Sequence, residues 1–203
     1  MSFLKGQKLV AQKEFGKALD IFLNLKDKND LILFYLGLIY FELNSFNKSI
    51  YYYSKFLKKK PNSILALYNL AFVKQSIGEL EASKNIYLKL IEIDKNKIRP
   101  FYGLFTLDPN FLNDYYFEKI LKIQKNYSHT LFEEGIINYL LSKKEKKNKK
   151  FYKEIKYLQN SHDLIFKSKK QYNTSSQFYY NQILRKFYNK IKFTNNQNNK
   201  LNN

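Results

Sequence analysis

The stretch YYYSKFLKKKP, residues 51–61, places three tyrosines, a phenylalanine and four lysines in eleven positions. Aromatic faces can stack on bases and ammonium groups can pair with phosphates, so this is a possible single-strand nucleic-acid surface. A second run, SKKEKKNKK at 142–150, could attract an acidic partner by charge alone, although a solvated helix end and turn is its simplest reading. Few other residues have types and spacing suited to chemistry. His129 and His162 stand apart, outside any metal-ligand spacing, and cysteine is absent. The six glycines are scattered singly, so no GxxxxGK or GxGxxG loop is present to cradle phosphates. Glu133 and Glu134 suit a helix start, where negative charge complements the macrodipole. The sequence therefore predicts no catalytic residue, no metal site and no cofactor.

The net charge of +19 is almost entirely lysine, with Arg99 and Arg185 the only arginines. Base and phosphate readers usually exploit the planar guanidinium fork. Asn, Ile, Phe, Tyr and Lys are also the residues of A/T-rich codons, so a genome-wide bias yields this composition without selection for binding. Solvated helix faces account for the lysines, and a nucleic-acid partner is not expected. Apolar residues make up 44% of the chain, enough for a substantial core. The start, MSFLKGQKLVAQKEF, lacks the apolar stretch of a signal peptide. The longest apolar run, Leu31 to Phe41, is well short of the roughly 20 residues that span a bilayer. A soluble, cytoplasmic protein with no membrane partner is expected.

The elements that position these residues come from a period. Residues 36–63 align on residues 70–97 without a gap: Leu36 on Leu70, Gly37 on Ala71, Phe46 on Leu80, Ser49 on Ser83, Tyr53 on Tyr87 and Phe56 on Leu90. Each pair is 34 residues apart, and the pattern resembles the tetratricopeptide repeat (TPR), two antiparallel helices per copy. Neither helix can bury its apolar face alone. Small residues (Gly37, Ala71, Ser49, Ser83) let paired helices approach, and large ones (Phe46, Tyr53, Phe56) fill the space between copies. Pro61 follows a second helix that it cannot continue. Gly78 and Asn44 stand at equivalent turns. In this register Tyr53, Phe56 and Leu57 face the core, and the 51–61 stretch is structural.

An earlier copy carries Gly6, Leu9, Phe15, Ala18, Phe22 and Leu25 at the same internal spacings, with an exit loop three residues shorter. A fourth starts at IRPFYGLFTL, but Asp108-Pro109 breaks its first helix, and residues 111–126 serve as its second. Residues 129–166 form a further pair, in which Gly135 takes the small-residue place. Residues 175–191, with Phe178, Ile183, Phe187 and Ile191 spaced for burial, form a closing amphipathic helix. The predicted fold is all-α, an α-solenoid of antiparallel helix pairs with a C-terminal capping helix. Its divisions are three copies in 1–97, an irregular pair in 98–127, a divergent pair and capping helix in 128–192, and a polar tail in 193–203.

Such a stack binds along the groove lined by its first helices. The candidates are Phe34, Tyr35, Leu38 and Phe41 from one copy, Tyr68, Asn69, Phe72 and Gln75 from the next, then Arg99 and Tyr102. The alternative for each is packing between neighbouring first helices. Only Asn69 stands where the repeat's carboxylate-clamping mode needs a polar group. An apolar groove meeting a helix or an extended segment of a protein or peptide partner fits better.

The carboxy-terminal third is similar to the segment of bacterial TPR-containing sulfotransferases that leads into their catalytic domain. The matching features are Phe132 and Gly135, then FYKEIKYLQNSHDLIFKSKKQYN, then FYYNQILRKFYNKI. That resemblance implies a substrate-recruiting module for a PAPS-dependent domain, opening on a loop of the type PRSGT(T/S). No stretch of residues 1–203 has this combination, so no catalytic residue carries over. The leading expectation is a non-enzymatic scaffold for protein binding. The alternative is the repeat module of a truncated or split sulfotransferase.

Overall fold

The computed structural model describes residues 2–25 and 29–169. Among them are ten α-helices, one short 3-10 turn and no strand. The described residues divide into two compact units, one up to residue 127 and one from residue 128. The expected capping helix at 175–191 lies outside the described residues.

The first unit is built from helix pairs: α1 (Phe3–Ala11) with α2 (Phe15–Asn24), α3 (Leu31–Glu42) with α4 (Phe46–Lys59), and α5 (Ile64–Ser76) with α6 (Leu80–Ile93). Next come α7 (Arg99–Leu107), the 3-10 turn (Pro109–Phe111) and α8 (Asp114–Asn126). Consecutive helices from α1 to α7 pack on one another, and the first helices form a row, α1 on α3, α3 on α5, α5 on α7. This is an α-solenoid of antiparallel pairs.

The turn within each of the first three pairs has one construction. Lys13, Asn44 and Gly78 have φ of 61°, 56° and 84°, the left-handed conformation that ends a helix. The next amide donates to a carbonyl five residues back: Glu14 to Leu9, Ser45 to Tyr40 and Glu79 to Lys74, at 2.9, 2.8 and 2.9 Å. Free carbonyls at the helix end are thereby satisfied and the chain reverses.

Within a pair, Gly37 lies against the ring of Tyr53, so close that an added Cβ would stand 2.8 Å from Cδ1. The Ser49 hydroxyl crosses the same seam and donates to the Gly37 carbonyl at 2.7 Å. One repeat later, Ser83 donates to the Ala71 carbonyl at 2.8 Å. The serines thus tie the paired helices together as well as being small. Tyr53 and Tyr87 are fully buried between copies.

Asp108-Pro109 does end α7, and the Asp108 carboxylate accepts from the Asn110 amide. The next helix begins at Asp114 rather than Phe111, because the Asn113 side chain caps it by accepting from the Tyr116 amide. Residues 108–113 are instead held by the 3-10 turn, with Phe111 against Tyr116 at 4.7 Å.

In the second unit α9 (Leu131–Lys147) packs along α10 (Phe151–Ser168). Thr130 and Glu133 form a reciprocal capping box, each side chain accepting from the other's amide at 3.2 Å. Gly135 meets α10 where a Cβ would lie 2.5 Å from Ile165 and 3.3 Å from the Ser161 carbonyl. Lys149, with φ of 57°, turns the chain between the two helices.

Candidate binding face

The row α3, α5, α7 carries all ten groove candidates, and the structure sorts them into three groups. Tyr35 belongs to a seam: its ring stacks on Phe22 at 5.2 Å, and its hydroxyl accepts from Gln7 Nε2 at 2.8 Å. Phe34 and Leu38 are half-buried against the cluster around Tyr53 and Phe56, with Phe34 5.8 Å from the Tyr53 ring. These three side chains join helices to one another.

The polar pair forms the second group. Asn69 Nδ2 donates to the Tyr53 hydroxyl at 3.0 Å. Gln75 accepts from the Tyr87 hydroxyl at 3.3 Å and donates to Thr106 Oγ1 at 3.1 Å. Both amides therefore satisfy tyrosines reaching through from second helices, a use with no signal in the sequence. Burial pushes the Tyr53 and Tyr87 hydroxyls well up from the ordinary range, with the Asn69 amide opposing the shift at Tyr53. Asn69, the one residue at a carboxylate-clamp position, has its amide engaged within the fold.

The third group is only partly covered: Phe72 and Arg99 are exposed, and Phe41, Tyr68 and Tyr102 are half-buried. Phe72 is 46% exposed on α5 and presents its ring edge-on to half-buried Phe41 of α3 at 5.4 Å. Tyr68, one turn earlier, lies 5.9 Å from Tyr87 and within electrostatic reach of Arg99 and Tyr102 on α7. Burial raises the Tyr68 hydroxyl, and the Arg99 guanidinium opposes this. Leu65 joins the group. It is 57% exposed, seven residues before Phe72, hence on the same face of α5. That spacing was the signal available for it in the sequence.

The opening stretch shows its aromatics engaged internally. Tyr52 stacks on Tyr40 at 5.4 Å, and the exposed ring of Tyr51 lies under the Lys55 ammonium at 4.6 Å. Among the described residues no group of three or more His, Asp or Glu side chains is placed to hold a metal ion. No helix among them is long and apolar enough to cross a membrane. The second unit carries an open cleft of about 320 Å³ beside the α9–α10 turn, lined by Glu145, Tyr152, Lys153, Lys156, Tyr157 and Asn160. The Glu145 Oε2 atom is buried there without a hydrogen-bond partner.

A crystal structure of MamA, a TPR-like protein, superposes with a TM-score of 0.60, covering 84% of this chain and 98% of that one at 20% identity. A MamA RS-1 ArsTM double mutant gives 0.59 at 15% identity, covering 78% and 89%. The fold is a TPR-type helical repeat. No family model matches the chain. Two uncharacterized ycf37 proteins are 30% identical to it: one from Guillardia theta over 82 residues, 39% of this chain and 46% of that protein, and one from Pyropia yezoensis over 107 residues, 47% and 60%. The chain thus spans about half the length of the curated relatives it matches. The similarity to sulfotransferase repeat segments is not supported by these matches.

Proposed function

We propose that the chain is a scaffold without catalysis of its own, which holds an apolar segment of a partner protein along the α3–α5–α7 face. The observation that carries this is Phe72. A large aromatic side chain stands half in solvent at the middle of the first-helix row, braced by Phe41 and flanked by Leu65, with Tyr68 and Arg99 beyond. Solvating such a ring is unfavourable, and seating a partner's side chain against it recovers the apolar area. The nearby amides of Asn69 and Gln75 are engaged with tyrosines, so apolar contact is the means of recognition. The TPR-type fold supports the same class of function, protein–protein interaction.

The test is selection of peptides from a random displayed library on the full chain, followed by affinity measurement. Phe72→Ala should weaken the selected peptides by about thirtyfold, the equivalent of about 2 kcal/mol for a central aromatic anchor, with unchanged helicity. Selected peptides that bind the variant as well as the parent would place recognition on another surface.

A further inference from the structure

We propose that the α9–α10 turn is a docking site for an anionic membrane surface. Residues 146–156, KKNKKFYKEIK, hold six lysines (Lys146, Lys147, Lys149, Lys150, Lys153, Lys156), all exposed, and one acid, half-buried Glu154. In the same segment Phe151 is 62% exposed, Tyr152 83% and Ile155 55%. On α10 these three lie at i, i+1 and i+4, so they share one face of its first turn. The result is a small apolar patch rimmed by cations at the end of a helical hairpin.

Three classes of anionic partner could be attracted: nucleic acid, an acidic protein and a lipid surface. The side-chain types favour the last. Phe151 and Tyr152 could stack on bases, but Ile155 is aliphatic and offers no stacking face. The cations are all lysine, point charges that suit a diffuse layer of headgroups rather than bidentate reading of phosphates or carboxylates. Phenylalanine, tyrosine and isoleucine side chains surrounded by lysine match what enters the boundary between headgroups and acyl chains, where long lysine stems keep their ammonium groups in water. Contact of this kind needs no spanning helix. It is distinct from the binding face of the first unit and does not depend on it.

The experiment uses the full chain with vesicles of phosphatidylcholine alone and of phosphatidylcholine with about one-third phosphatidylglycerol, a composition set to test charge. Sedimentation with the anionic vesicles and little with the neutral ones is expected, weakening as salt is raised. The protein contains no tryptophan, so Tyr152→Trp supplies a local reporter, whose emission should move to shorter wavelength on anionic vesicles. The triple variant Lys146→Gln, Lys147→Gln, Lys150→Gln and the double variant Phe151→Ser, Ile155→Ser should each lower partitioning by at least about tenfold. All these positions are exposed, and circular dichroism checks that helicity is kept. Absence of binding to anionic vesicles overturns the proposal, as does binding that neither variant weakens. If the apolar variant binds as the parent does while the lysine variant fails, contact is by charge alone, and the seating of Phe151 and Ile155 in the headgroup boundary is refuted.

Discussion

Substituting Gly37 tests the register of the whole repeat, because it is where two helices are closest. A Cβ at this position would lie 2.8 Å from Tyr53 Cδ1 and 2.9 Å from Cε1 and Cγ, against about 3.5–4.0 Å for ordinary carbon contacts. The ring has little room to retreat. It is fully buried, its hydroxyl is held by Asn69 at 3.0 Å, and Phe34 lies 5.8 Å away on its flank. The backbone cannot easily open either, since Ser49 ties the Gly37 carbonyl across the seam. Two effects of opposite sign compete. Alanine gains about 1 kcal/mol of helix propensity over glycine in the middle of α3. Overpacking costs about 1–3 kcal/mol. Gly37→Ala should therefore be less stable by about 1 kcal/mol, and Gly37→Leu, with three more carbons to place, by about 2–3 kcal/mol. At this chain length about 1 kcal/mol corresponds to about 2–4 °C in Tm. Gly16→Ala is the control. It lies in α2, and a Cβ there meets nothing within 4 Å, so only the propensity gain applies and stability should rise. Urea unfolding of the three variants beside the parent gives the answer. Gly37→Ala as stable as Gly16→Ala would mean that α3 and α4 do not meet at Gly37 and Tyr53, and the pairing would be wrong.

Other variants probe the turns, the buried tyrosines and the two proposed binding surfaces. Lys13→Gly should stabilise the chain by about 0.5–1 kcal/mol in urea unfolding, because Lys13 holds φ of 61° where Gly78 holds 84° in the equivalent turn. The raised hydroxyls of Tyr53 and Tyr87 contribute stability that is whole below about pH 10, the unfolded tyrosine value. Above it the unfolded chain ionises first, so stability should fall by up to about 1.4 kcal/mol per pH unit for each tyrosine, and Tyr53→Phe should make that alkaline decline shallower. Peptides selected on the full chain should lose about thirtyfold in affinity to Phe72→Ala, read by fluorescence anisotropy. The lysine and apolar variants of the α9–α10 turn should each release the chain from anionic vesicles, read by sedimentation.

The sequence by itself determined the helical repeat. A period of 34 is written in residues whose types follow from local sterics: small at Gly37 and Ala71, aromatic at Tyr53 and Tyr87, left-handed turn formers at Asn44 and Gly78. Breaks were legible for the same reason, since Pro109 cannot continue a helix and the acidic pair Glu133 and Glu134 marks a helix start. Which first-helix residues are available to a partner was decided by tertiary structure. Phe34, Tyr35 and Phe72 have similar rings on equivalent helices, yet Tyr35 is drawn into the α1–α2 seam by Phe22 and Gln7, Phe34 into the Tyr53 cluster, and Phe72 is left half exposed. Helical periodicity gives the direction of a side chain from its own axis and not what lies opposite it. Asn69 and Gln75 show this most sharply: they read as groove candidates, and what engages them is a pair of tyrosine hydroxyls arriving from second helices. The exposed patch at Phe151, Tyr152 and Ile155 has the same origin. In sequence these are apolar positions at the start of an amphipathic helix, and only the packing of α10 on α9 determines that this turn of the stripe is left uncovered.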